Sequence, residues 1–169
     1  SMTNRPDWDN FWFTLALIYS TRGTCDRLRV ACLIVKNKRL AGAGFNGSPH
    51  GQPHCDDVGH LIIEGHCERT LHSEENAIIN TSREDLRDAT AYITATPCYR
   101  CTKMLINAGV KKIFYMGFYA NSRGREHIED LAKTSGVEMV HFDLDAQTLL
   151  DQAINRLREP GGSLFKKTE

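Results

Sequence analysis

The 169 residues carry 21 Lys plus Arg against 21 Asp plus Glu, a formal net charge of zero, and 41% of them are apolar. That length builds a real hydrophobic core, and a single domain over residues 3–158 with a flexible tail at 159–169 is expected. The balanced charge counts against a protein that clamps a long nucleic-acid backbone, which needs a basic excess; a small substrate with one phosphate stays compatible. No apolar run is long enough to span a bilayer, and the first apolar segment is broken by Asp9, Asn10 and Thr14, so a cytoplasmic protein without a membrane partner is expected.

Taken in chain order, apolar residues at helical spacing predict a first helix over about 8–21. Residues 29–36 are rich in strand formers, and Asn37-Lys38 turns them back into 39–45 as a hairpin. Residues 46–70 are rich in Gly, Pro, His and Asp and read as one long loop, a length that in a compact domain goes with function or with a tether. A helix follows over about 71–80, a strand over 89–95, and a helix over about 98–107 that Gly109 stops. The remainder reads as a strand at 112–116, a helix at about 123–134, a strand at 138–142 and a last helix at 146–158. Helices alternating with strands after the hairpin predict an α/β fold: a three-layer α/β/α sandwich around a five-stranded mixed sheet, parallel where helices cross over.

Six cysteines stand at positions 25, 32, 55, 67, 98 and 101. A chain kept in a reducing compartment does not rely on disulfides. Cys32 sits inside the apolar run VACLIV and reads as a small buried residue. The other five lie in polar, turn-like stretches beside His, Asp or Arg.

In TPCYRC, residues 96–101, Thr96 reads as a helix N-cap and Pro97 as the first helical residue. Cys98 and Cys101 then share one face near a helix N-terminus, where the dipole favours thiolate. That suits a redox pair and a metal site equally. The partner upstream separates the two: LHSEENA, residues 71–77, puts His72 and Glu74 at the start of another helix. One imidazole and two thiolates make three zinc ligands with the fourth position open, the pattern of a catalytic zinc. A redox dithiol needs no such histidine.

The two stretches His72-Ser73-Glu74 and Pro97-Cys98-Tyr99-Arg100-Cys101 match the H-x-E and P-C-x-x-C signature of zinc nucleobase deaminases. GFNGSPHGQPHCDD at 44–57, GHCERTLHSEENAI at 65–78 and TCDRLRVACLIV at 24–35 extend the likeness, and together the chain from 24 to about 116 resembles the deoxycytidylate (dCMP) deaminase branch of the cytidine deaminase superfamily. The resemblance implies a zinc held by His72, Cys98 and Cys101, with Glu74 shuttling protons in the hydrolytic deamination of dCMP to dUMP and ammonia. The alternative is a zinc deaminase of another nucleoside, nucleotide or base.

It also implies a set of substrate contacts. The Ser73 backbone N–H, at a position where alanine is common in the family, would hold the pyrimidine carbonyl, and the Thr96 backbone carbonyl the exocyclic amine. Asn46 would meet the sugar hydroxyl, its other reading being a turn residue before Gly47. Ser48 and Tyr119 are candidates for the 5′-phosphate. Glu75 reads as a solvated or loop-pairing neighbour of Glu74. Several members carry a second zinc, for which Cys25, Cys55 and Cys67 are candidates here, with His60 as first choice and His66 as alternative for the fourth ligand; reduced thiols and ordinary loop histidines are the other reading. Homo-oligomers, and dCTP and dTTP as effectors, are further implications of the resemblance.

Overall fold

The computed structural model describes residues 4–117 and 125–162. Tyr119 and the tail residues 163–169 lie outside the described residues. The helix α1 spans Trp8–Ser20, and Asp7 caps it by accepting a hydrogen bond from the Asn10 N–H. The strands β1 (Ala31–Lys36) and β2 (Arg39–Phe45) form the expected antiparallel hairpin. Both turn residues, Asn37 and Lys38, have positive φ, which is the two-residue turn whose twist matches that of paired strands.

The stretch expected to be one loop contains three short elements: α2 (Cys55–Val58) and a two-stranded hairpin of β3 (Ile62–Ile63) and β4 (His66–Cys67). Then come α3 (Ser73–Ile79), α4 (Arg83–Leu86), β5 (Thr90–Ile93), α5 (Tyr99–Asn107), β6 (Lys112–Tyr115), α6 (Arg125–Thr134), β7 (Glu138–His141) and α7 (Ala146–Arg158). The main sheet runs β2-β1-β5-β6-β7, with β1 antiparallel to both neighbours and β5, β6 and β7 parallel. This is the five-stranded mixed sheet that the alternation of elements predicts.

The sheet separates two cores. Strand side chains alternate faces: Cys32, Ile34, Ala91, Ile93, Ile113 and Tyr115 pack with Ala77 of α3, Leu105 of α5 and Ala132 of α6. Leu33, Val35, Tyr92 and Phe114 face the other way, onto Trp12, Phe13 and Ala16 of α1 and Leu149 of α7. Cys32 is fully buried, as its apolar run predicts. Phe13, also fully buried, meets Tyr92 edge-on with ring centroids 5.2 Å apart, and burial of such a side chain stabilises by about 1.5–3 kcal/mol.

Two helix starts differ from expectation. The first helical residue after β5 is Tyr99, and Cys98 is the N-cap, its sulfur accepting from the Cys101 N–H at 3.4 Å. Thr96 and Pro97 therefore lie outside the helix, and the Thr96 hydroxyl reaches the Gly117 carbonyl at 3.5 Å. Likewise His72 is the N-cap of α3, not its second residue. Gly109, at φ +99°, follows α5 where the chain must leave the helix in a left-handed conformation.

The helix α3 rests directly on the sheet. A Cβ at Gly44 would stand 2.3 Å from the Ala77 nitrogen and 2.4 Å from the Ser73 carbonyl oxygen. Only a residue without a side chain permits that approach. Asn76 fastens the contact, its amide donating to the Phe45 carbonyl at 2.9 Å.

Candidate active site

The N-terminal ends of α3 and α5 meet beside the carboxyl end of β5, where ligands of open α/β sheets bind. His72 arrives as the N-cap of α3, Cys98 as the N-cap of α5, and Cys101 from the first turn of α5. The His72 Nδ1 atom lies 3.4 Å from the Cys101 sulfur and 3.7 Å from the Cys98 sulfur. All three ligand atoms fall within 4.8 Å of one another, the crowding of groups around a common centre.

The thiols and the imidazole of this cluster shift one another's protonation. The Cys98 thiol is pushed down to about 4, first by its hydrogen bond from Cys101 and then by the neighbouring imidazole, against the opposing effect of burial. Cys101 is pushed up by the same Cys98 contact and by burial. The His72 imidazole is raised to about 9, chiefly by the Cys98 sulfur. A thiolate held against an imidazolium inside a protein is what a zinc ion with N and S ligands would replace, so the donor set fits zinc.

Glu74 is buried on the first turn of α3, and burial raises its carboxyl above the usual range. The Ser73 hydroxyl donates to Glu74 Oε1, a contact that the sequence does not announce because it needs this rotamer. Of the two expectations for Glu75, solvated or loop-pairing, it follows the pairing one, with a partner on α5 rather than in a loop. Its side chain is 12% exposed, Oε1 accepts from the His72 N–H at 3.0 Å, and Oε2 pairs with Arg100 at 2.9 Å. The reason is position: the third residue of a helix reaches back to its own N-cap.

His72, Glu74, Glu75 and Cys98 line a cleft of about 850 Å³ that also takes in Asn46, Ser73 and Thr96. Asn46 is buried, with Oδ1 accepting from the Val30 N–H at 2.9 Å and Nδ2 donating to the Leu28 carbonyl at 2.8 Å. Its amide thus braces the segment ahead of β1 and keeps one N–H in reserve. The Ser48 N–H donates to His54 Nδ1 at 3.3 Å, and the Ser48 hydroxyl is buried without a hydrogen-bond partner.

A second cluster borders the same cleft through Cys25 and Cys67. Cys25, Cys55, His60 and Cys67 bring their ligand atoms within 4.8 Å of one another, and His66, the alternative fourth ligand, is not part of the group. Cys25 and His60 Nδ1 are 3.5 Å apart, and the Cys55 and Cys67 sulfurs also 3.5 Å, so the thiols are free rather than bridged. His60 turns its other nitrogen, Nε2, to the Asp26 carboxylate at 2.8 Å. A carboxylate behind a ligating imidazole is a recurrent metal-site arrangement. Asp26 is a site residue that the motifs do not contain; its place beside Cys25 is the one sequence signal for it.

Residues 6–117, well over half of the chain, match the family described as the cytidine and deoxycytidylate deaminase zinc-binding region. The chain belongs to this zinc-binding deaminase family. Among individual proteins it is similar to ComE operon protein 2 of Bacillus subtilis (strain 168), with 36% identity over 143 residues, 83% of this chain and 74% of that protein. It is similar to the deoxycytidylate deaminase of Mycobacterium phage D29, with 32% identity over 123 residues, 66% of this chain and 96% of that one. A solved structure of dCMP deaminase from the cyanophage S-TIM5, in complex with dCMP and dUMP, matches with a TM-score of 0.66 and 26% identity, covering 82% of this chain and 98% of that one.

Proposed function

We propose that this protein hydrolyses dCMP to dUMP and ammonia in pyrimidine deoxynucleotide metabolism. The observation that carries the reading is the buried Glu74 carboxylate at the floor of a cleft beside His72, Cys98 and Cys101. The likeness to phage dCMP deaminases supports the choice of substrate.

In this reading His72, Cys98 and Cys101 hold a zinc ion. Bound there, the ion would act as a Lewis acid that makes water ionisable near neutral pH. Glu74 takes one proton from the attacking water and delivers it to N3 of the cytosine ring as the water oxygen bonds to C4; it then takes the second proton from that oxygen and passes it to the C4 amino group, so the C4–N bond breaks, ammonia leaves and a C4 carbonyl remains. Burial raises this carboxyl above the usual carboxylate range, and a carboxyl is a group that can both accept and donate a proton within one cycle. The Ser73 hydroxyl orients the carboxylate, and the Ser73 N–H and the Thr96 carbonyl grip the pyrimidine. Asn46, with its spare amide N–H, meets the sugar, and Ser48 and Tyr119 meet the 5′-phosphate.

A second zinc, held by Cys25, Cys55, Cys67 and His60, belongs to the same reading and would form a closed structural set. So do assembly with further copies of the chain, control by dCTP and dTTP, and a cytoplasmic setting. Free thiols suit a reducing compartment, and among the described residues no helix is long and apolar enough to cross a membrane.

The test is a substrate panel. dCMP, deoxycytidine, cytosine and a tRNA anticodon stem are offered to the zinc-loaded protein and ammonia is measured. Ammonia from dCMP far ahead of the others supports the reading; release from one of the others, with dCMP inert, overturns it.

A further inference from the structure

We propose that Glu75 is a positioning residue that, with Arg100, joins the His72 side of the site to the Cys98 and Cys101 side before a metal arrives. The inference rests on the reading of His72, Cys98 and Cys101 as zinc ligands. The ligands come from two separate helices, α3 and α5, and nothing in either helix fixes the distance between their first turns. Deeper in the interface Ala77 and Leu105 share one core. At the site end the two oxygens of a single carboxylate do the joining: Oε1 on the His72 N–H at 3.0 Å and Oε2 on the Arg100 guanidinium at 2.9 Å. Arg100 lies between Cys98 and Cys101, so its tether acts on the very turn that presents both sulfurs.

A helix-capping glutamate is common, and an exposed ion pair by itself contributes little. Two features set this pair apart. Glu75 is 12% exposed while Arg100 is 70% exposed, so the carboxylate is a held group with an adjustable partner. And the atoms that Glu75 restrains, the His72 backbone and the α5 first turn, carry every ligand of the cluster. With the two helix starts joined, the imidazole stays 3.4–3.7 Å from the two sulfurs, and a site so held loses less on ordering when the ion binds.

The experiment uses the full zinc-loaded chain and its Glu75→Ala, Glu75→Gln, Arg100→Ala and Glu75→Ala/Arg100→Ala variants. Zinc release into excess EDTA is followed with a zinc-responsive dye, alongside kcat and KM for dCMP. Glu75→Ala is expected to speed release of the ion from this site by about tenfold or more, the scale for outer partners of metal ligands. Arg100→Ala is expected to speed it about two- to fivefold, and the double variant no more than Glu75→Ala, since Arg100 acts through Glu75. Glu75→Gln, which keeps an acceptor for the His72 N–H, should fall between. Release at the wild-type rate in Glu75→Ala overturns the proposal. So does an Arg100→Ala protein with raised KM and unchanged release, which would make Arg100 a substrate contact. Should Glu75→Ala fail to fold, Arg100→Ala, altered at a largely exposed side chain, still decides. His72→Ala separates the two failures: if it strips the ion while Glu75→Ala does not, the inference alone falls; if it strips nothing, the metal reading falls.

Discussion

The Asp26 carboxylate lies 2.8 Å from Nε2 of His60, on the opposite edge of the ring from the Cys25 sulfur, which is 3.5 Å from Nδ1. The contact fixes which nitrogen is free to face the three sulfurs and makes it a better donor. Asp26→Ala is therefore expected to weaken zinc at the Cys25, Cys55, His60 and Cys67 cluster by about 10- to 100-fold. Competition against chelators of graded affinity checks this, and a variant that keeps its full zinc at every chelator strength contradicts it.

Glu74→Gln keeps the size and the Ser73 contact but cannot carry a proton. Turnover is expected to fall by at least about 10²–10⁴-fold, with zinc content and thermal midpoint close to those of the parent. Steady-state kinetics with metal analysis on the same sample checks it. Unchanged turnover would end the proton-shuttle mechanism.

Gly44→Ala puts a methyl group against backbone atoms of α3, at 2.3 Å from the Ala77 nitrogen and 2.4 Å from the Ser73 oxygen. Neither atom belongs to a flexible side chain, so the helix itself must lift. A loss of about 1–3 kcal/mol is expected from overpacking, together with lower kcat, because Glu74 moves with the helix. Urea unfolding of the zinc-loaded protein measures the first, and dCMP turnover the second.

The Tyr92 hydroxyl donates to Asp9 Oδ1 at 2.6 Å and ties β5 to α1. Burial, then the Asp9 contact, raises this phenol far above its ordinary range. A group whose folded pKa is raised gives stability that is fully present below the unfolded pKa, about 10, and lost as pH climbs beyond it. The urea midpoint of the parent should therefore drop more steeply between about pH 9.5 and 11 than that of Tyr92→Phe. Parallel pH profiles of the two proteins would contradict the assignment.

The sheet was legible because its strands are short apolar runs between turn signals, and the crossovers between β5, β6 and β7 left no choice but parallel pairing. Spacing puts His72 with Glu74, and Cys98 with Cys101, at two helix starts; that the pairs belong together came from the resemblance to the H-x-E and P-C-x-x-C signature. What stayed hidden depends on the approach of distant segments. Thr96-Pro97 is the stronger helix-start signal by propensity, yet the cap is a cysteine sulfur, which no propensity anticipates. The pairing of Glu75 with Arg100 needs α3 and α5 side by side. The short elements α2, β3 and β4 have no periodicity of their own to read. Gly42 and Gly44 did carry a signal, since glycine inside a strand marks a place where another backbone comes close.

Between Ser48 and Thr70 only Cys55 is buried, and Val58, Leu61, Ile62 and Ile63 all face outward. That stretch owes its shape to sulfur and imidazole chemistry far more than to oil. Were the Cys25, Cys55, His60 and Cys67 cluster to hold a metal, removing it would leave both faces of the sheet packed while the side of the cleft formed by Cys25 and Cys67 came loose, so metal loss would cost activity before it cost folded protein.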